Sequence, residues 1–108
     1  MEEAFFSLEV RRDGTTLRLC LAGEFDWAVV GHVTGALEKA RTNATEHIVF
    51  DLTALEFLDL AGVNTILKAS RRADQERSNV TVVRPRGRAN DIFALTGADE
   101  SLSIVDRL

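Results

Sequence analysis

The spacing at which apolar residues recur changes part-way along this 108-residue chain, and that change leaves few folds open. Phe6, Leu8 and Val10 alternate with Ser7, Glu9 and Arg11, and Leu17, Leu19 and Leu21 alternate again after Asp13-Gly14. A period of two belongs to a strand with one covered face. An Asp-Gly pair between two such runs suits a tight hairpin, because both residues tolerate positive φ. Beyond Gly23-Glu24-Phe25-Asp26 the spacing turns helical: Val29, Val33, Ala36, Leu37 and Ala40 make one stripe, with Asp26 placed to cap its first turn. The continuous run Ile48-Val49-Phe50, ending in Asp51, predicts a short strand covered on both faces. Leu60, Val63, Ile66, Leu67 and Ser70 predict a second helix sharing one apolar face, and Arg71, Arg72 and Arg77 complement the dipole at its end. Val80, Val82 and Val83 predict a strand stopped by Pro85. Residues 90–96 predict a short helix capped by Gly97, and Ile104-Val105 a last edge strand.

The order ββ-α-β-α-β-α-(β) predicts an α/β domain: a mixed sheet whose later strands are joined by helical crossovers, occupying residues 1–108 as one unit. Such a length buries a core without metal or disulfide staples. A formal charge of −4 argues against non-specific nucleic-acid binding. The one basic cluster, Arg84-Pro85-Arg86-Gly87-Arg88, reads as a solvated loop after a strand. A single cysteine, Cys20, rules out an intramolecular disulfide and suits a reducing compartment. The acidic start of the chain lacks the pattern of a signal peptide, and no apolar run approaches the ~20 residues of a membrane span. The expectation is a cytoplasmic chain without membrane insertion.

Catalytic chemistry finds no support. There is no glycine-rich phosphate loop, no Ser-His-Asp or Cys-His set, and neither His32 nor His47 has a second ligand at metal-binding spacing. No cofactor and no metal are expected. Trp27 directly follows the Asp26 cap, and packing against the helix is favoured there over an exposed interface anchor.

Three segments carry a resemblance. Residues 51–63, Asp-Leu-Thr-Ala-Leu-Glu-Phe-Leu-Asp-Leu-Ala-Gly-Val, resemble the signature of the bacterial anti-sigma-factor antagonists, the STAS family, in which a strand ends in Asp-Leu-Ser/Thr and Asp-Ser-Ser/Thr-Gly-Leu opens a helix. Gly23-Glu24-Phe25-Asp26 resembles the family's Gly-Glu-Leu/Ile-Asp segment. Residues 90–100 resemble its C-terminal helix and Leu-Thr-Gly turn.

The resemblance implies a STAS-like fold and a regulatory, non-enzymatic role. In the family the antagonist binds an anti-sigma factor, a serine kinase of the histidine-kinase-like ATPase superfamily, and frees a sigma factor. Phosphorylation of the second hydroxyl residue in the signature blocks that binding. Carried over, the partner-binding residues are Asp26, Asp59, Leu60, Ala61 and Gly62, with Ala61 at the phosphoacceptor position. Here the chain departs from the family, because Leu60 and Ala61 stand where two hydroxyl residues are usual. Ala61 has no oxygen to phosphorylate, which implies either a natural variant always competent to bind or a residue engineered from Ser or Thr. Gly62 has two readings, close approach of a partner backbone or of the neighbouring strand. Thr53, Thr65 and Ser70 are the other hydroxyls near the signature. The resemblance leaves room for a weak homodimer. It also fits a second role on the same fold, an accessory subunit of a membrane ATP-binding-cassette transport complex.

Overall fold

Residues 5–108 are described in the computed structural model of the chain, and the architecture follows from the alternation above. Strands β1 (Phe6–Asp13) and β2 (Thr16–Phe25) form the antiparallel hairpin; α1 (Val30–Ala40) follows a turn of 3-10 helix at Trp27–Val29. Then come β3 (His47–Leu58), α2 (Leu60–Gln75), β4 (Asn79–Val83), α3 (Asp91–Thr96) and β5 (Ser103–Val105). The sheet order is β1-β2-β3-β4-β5, with β2 to β5 mutually parallel. The hairpin loop is Gly14-Thr15 rather than Asp13-Gly14: Asp13 pairs with Thr16 and ends the strand, and only Gly14 takes positive φ.

Because consecutive parallel strands lie side by side in one direction, right-handed crossovers put every helix on the same face. The core bears this out. Leu17, Leu19, Leu21 and Phe25 of β2, Ile48, Phe50 and Leu52 of β3, and Val80 and Val82 of β4 form one cluster with Val33 and Leu37 of α1, Val63, Ile66, Ala69 and Ala73 of α2, and Phe93 of α3. The expectation that β3 is covered by helices on both faces therefore fails. Val49 and Val83 point the other way and stand outside that cluster, although each is buried. Their face carries polar neighbours instead. Arg18 lies beside Val49 in register, and its guanidinium pairs with Asp51.

Asp51 is the one acidic side chain buried in the sheet. Its Oδ1 accepts from the Thr53 amide at 3.1 Å and the Thr53 hydroxyl at 2.8 Å, and its Oδ2 from Arg18. Burial alone raises its pKa, but the Arg18 and Thr53 donors outweigh that and hold the carboxyl below its ordinary value of 3.8. A carboxyl depressed in the folded state stabilises the fold above its unfolded pKa, and that contribution is lost as pH falls through the folded pKa. Asp51→Asn should therefore cost about 1–2 kcal/mol at neutral pH, less than for a fully buried pair because Arg18 is partly exposed. It should also flatten the acid limb of the stability curve below about pH 4, read by urea unfolding across pH.

Candidate functional site

The site lies where β2 and β3 end. Their register brings Phe25 opposite Leu58, so the residues that follow, Asp26 and Asp59, leave the sheet side by side. The Asp59 amide donates to the Phe25 carbonyl at 3.3 Å, tying the two chain exits together. Each aspartate then caps a helical segment from an extended backbone. Asp26 Oδ1 accepts from the Ala28 amide at 2.9 Å, and Asp59 Oδ1 from the Gly62 amide at 3.0 Å. Two helix starts, with amide donors that lack helical partners, thus face solvent together at the carboxyl edge of the parallel strands.

The residues after each cap set the surface. Trp27 is 77% exposed, which overturns the expectation that it packs against the helix: the 3-10 turn at Trp27–Val29 delays α1 and leaves the indole outside the core. Leu60, at the first position of α2, is 55% exposed and leaves the apolar stripe to which its spacing assigned it. The buried face of α2 runs instead through Gly62, Val63, Thr65, Ile66, Ala69 and Ala73, seated where β2 ends. Phe57 lies opposite Glu24 and is 46% exposed. Ala61, partly exposed at the second helical position, presents a methyl group between Leu60 and the buried Gly62.

Gly62 serves the fold. A Cβ built on it would meet Leu58 Cδ1 at 2.5 Å, with Phe25 Cγ and the Phe25 carbonyl oxygen both at 3.2 Å. Of its two readings, close approach of the neighbouring strand is the one met, and its buried Cα offers a partner no surface. Of the other hydroxyls, Thr53 is committed to Asp51, and Thr65 is buried with its hydroxyl on the Ala61 carbonyl at 2.8 Å. Neither replaces the missing oxygen at position 61.

Charge is one-sided here. Residues 19–37 and 48–67, which build the site, contain no lysine or arginine, and Glu24, Asp26, Glu56 and Asp59 are sequence or register neighbours of the exposed Trp27, Phe57 and Leu60. The other chemistry-bearing residues lie elsewhere. His32 packs edge-on against Phe6, His47 Nδ1 meets Asn79 Oδ1 at 2.8 Å, and Arg84 pairs with Asp106 at 2.6 Å. Among the described residues no three His, Cys, Asp or Glu side chains gather as a metal site, and no helix is long and apolar enough to cross a membrane.

A family model described as "Mlab, STAS domain" matches residues 8–106. The chain belongs to the STAS-domain family. Solved structures share the STAS fold. An anti-sigma factor antagonist from Mycobacterium paratuberculosis superposes with a TM-score of 0.79 at 20% identity, over 96% of this chain and 88% of that one. SpoIIAA in its unphosphorylated form gives 0.77 at 18% identity, over 92% and 88%. The phosphorylated SpoIIAA of Bacillus gives 0.71 at 19% identity, over 92% and 91%.

In this STAS domain the Asp26 cap is as the sequence predicts, and the Asp59 cap has the same local cause, a carboxylate within three residues of the amide it accepts from. Phe57 is a site residue that the sequence pattern does not mark, and Trp27 lies outward where packing against the helix is expected. A tryptophan directly after a cap, in a stretch free of basic residues, was the available signal. Asp59→Ala should cost about 1 kcal/mol through loss of the α2 cap, measured by denaturant unfolding, and Asp59→Asn should recover most of it.

Proposed function

We propose that this STAS domain is a regulatory binding module, an anti-sigma factor antagonist. It docks the paired helix starts after β2 and β3 onto a kinase-type anti-sigma factor of the histidine-kinase-like ATPase fold, and so frees a sigma factor by mass action. The observation that carries the reading is the neutral Ala61 methyl at the second position of α2, next to exposed Leu60 and two residues after the Asp59 cap, with the Asp26 cap and exposed Trp27 following the adjacent strand end. Asp26, Asp59, Leu60 and Ala61 form the contact surface, and Trp27 and Phe57 extend it. Gly62 acts through the fold, by seating α2.

The physical logic of a switch explains the alanine. A phosphate at this position would meet unpaired helix amides and a favourable dipole, so the domain would tolerate it without refolding. It would also add about 1.5 to 2 negative charges to a surface already lined with carboxylates, and docking would fail by repulsion and bulk. Ala61 keeps the docking surface small and uncharged in the presence of ATP. The role needs no turnover, no cofactor and no nucleic-acid contact, and it fits a cytoplasmic protein.

The test pairs the domain with a kinase-type anti-sigma factor. The wild type should form a complex whose affinity survives incubation with ATP, whereas Ala61→Ser should acquire radiolabel from ATP and lose affinity as it does. Failure to bind any such kinase would remove the proposal. A second reading, an accessory subunit docked on the ATPase of a membrane transport complex, is favoured by the same absent oxygen at Leu60 and Ala61. Co-purification with a transporter ATPase rather than a kinase would decide for it.

A further inference from the structure

The two edges of the sheet are unlike. β5 has three residues, and the chain just beyond it is held by the Arg84–Asp106 pair. β1 has eight, pairs with β2 without a bulge, and contains no proline or lysine. Its four charges, Glu9, Arg11, Arg12 and Asp13, are of both signs, so they guard the edge against a strand of mismatched charge and leave it open to one whose charges complement them. Among the described residues nothing pairs with the outer side of β1.

The hairpin register says which groups are free. A two-residue loop makes Asp13 and Thr16 a hydrogen-bonded pair, and such pairs alternate along the ladder. Asp13, Arg11, Glu9 and Ser7 therefore spend their amides and carbonyls on β2. Arg12, Val10, Leu8 and Phe6 aim theirs outward. The same four side chains lie on the helix-covered face, where Leu8 is only partly buried and Val10 is 39% exposed. Arg12 is already tied to its own subunit through the Ala40 carbonyl.

We propose that β1 is a self-association edge, and that its occupant is a second copy of this chain paired antiparallel about a two-fold axis at Val10. Charge selects that register. Centred on Val10, the two Val10 residues form a hydrogen-bonded pair and Leu8 lies opposite the partner's Arg12. Glu9 then faces the partner's Arg11 as a close, non-hydrogen-bonded pair, and symmetry repeats the contact. Centring on Glu9 would oppose two glutamates. Centring on Arg11 would oppose two arginines and set Glu9 against the partner's Asp13. Only the Val10-centred register turns the Glu9–Arg11 contact seen within one strand, at 2.9 Å, into an alternating four-charge cluster across two. The dimer is a continuous sheet of ten strands. It leaves both Asp26–Asp59 surfaces uncovered, since these lie at the ends of β2 and β3 on the far side of β1. Paired copies therefore present two docking surfaces at once.

Sedimentation equilibrium from micromolar to millimolar chain concentration tests this, with circular dichroism to confirm folding of each variant. The wild type should show a reversible monomer–dimer equilibrium. Glu9→Arg and Arg11→Glu should each weaken it about ten-fold or more, because each puts like charges opposite one another twice. The double exchange, Glu9→Arg with Arg11→Glu, should restore it. Val10→Pro, which removes an outward amide, should abolish it. A wild type that stays monomeric throughout overturns the proposal. A dimer indifferent to the single exchanges, or not restored by the double one, overturns it as well.

Discussion

Ala61→Glu should weaken binding to a kinase-type partner by about 100-fold or more while leaving the fold at least as stable as the wild type. The two effects separate because they draw on different neighbours. Position 61 is the second residue of α2, close to helix amides that lack internal partners. A carboxylate in the first turn of a helix is favourable by about 0.3–1 kcal/mol, which offsets the small loss of helix propensity relative to alanine. A partner surface docked there meets a new charge beside Asp26 and Asp59, with no basic residue on either site segment to neutralise it. Desolvating an unpaired carboxylate at a contact costs several kcal/mol, and each 1.4 kcal/mol is a factor of ten in affinity, so about 100-fold is a conservative figure. Titration calorimetry reads the binding arm and denaturant unfolding the stability arm. Unchanged binding would show that the paired helix starts are not the docking surface. A loss of stability matching the loss of binding would show that the glutamate acts through the fold. Ala61→Gln, equal in size and uncharged, apportions the effect between bulk and charge.

What the sequence makes legible divides along the line between local and non-local causes. Leu17, Leu19 and Leu21 reveal their face because a pleated strand alternates side chains whatever lies beyond it. Asp26 and Asp59 reveal themselves as caps because the carboxylate and the amide it accepts from are two or three residues apart. Gly97 ends α3 for an equally local reason, its amide reaching back to the Ala94 carbonyl. Ile48-Val49-Phe50 misleads because a continuous apolar run does not say what covers each face. Val49 is buried on a face with no helix, beside the Arg18–Asp51 pair, and that pair joins residues 33 positions apart. Leu60 misleads because helical spacing assigns a stripe but not its rotation about the axis. That rotation is set by where Gly62 meets Phe25, a contact between α2 and the end of β2. Trp27 is the instructive case. The cap before it was legible, yet its exposure depends on a 3-10 turn that holds it off the core. The site surface is thus the part of the molecule whose positions were local and whose exposures were not.

Gly62→Val should destabilise the domain by about 3 kcal/mol or more, the largest stability effect expected of a single residue at the site. The first added carbon would stand 2.5 Å from Leu58 Cδ1 and 3.2 Å from both the Phe25 ring and the Phe25 carbonyl oxygen. Leu58 can shift its terminal methyl. Phe25 cannot easily move, because its ring is fully buried in the core cluster and its carbonyl holds the Asp59 amide. Valine adds two further methyl groups against the same neighbours, so relief requires α2 to lift from the end of β2. Gly62→Ala separates the contributions. Alanine is favoured over glycine in a helix by about 1 kcal/mol, which offsets part of the crowding, so its net loss should be near 1 kcal/mol or less. Urea unfolding should show both variants with lower midpoints and unchanged slopes, since the surface exposed on unfolding stays the same. A Gly62→Val protein as stable as the wild type would mean that α2 is not seated on Phe25. The spacing that sets Asp59 beside Asp26, on which the docking surface depends, would then have to come from elsewhere in the fold.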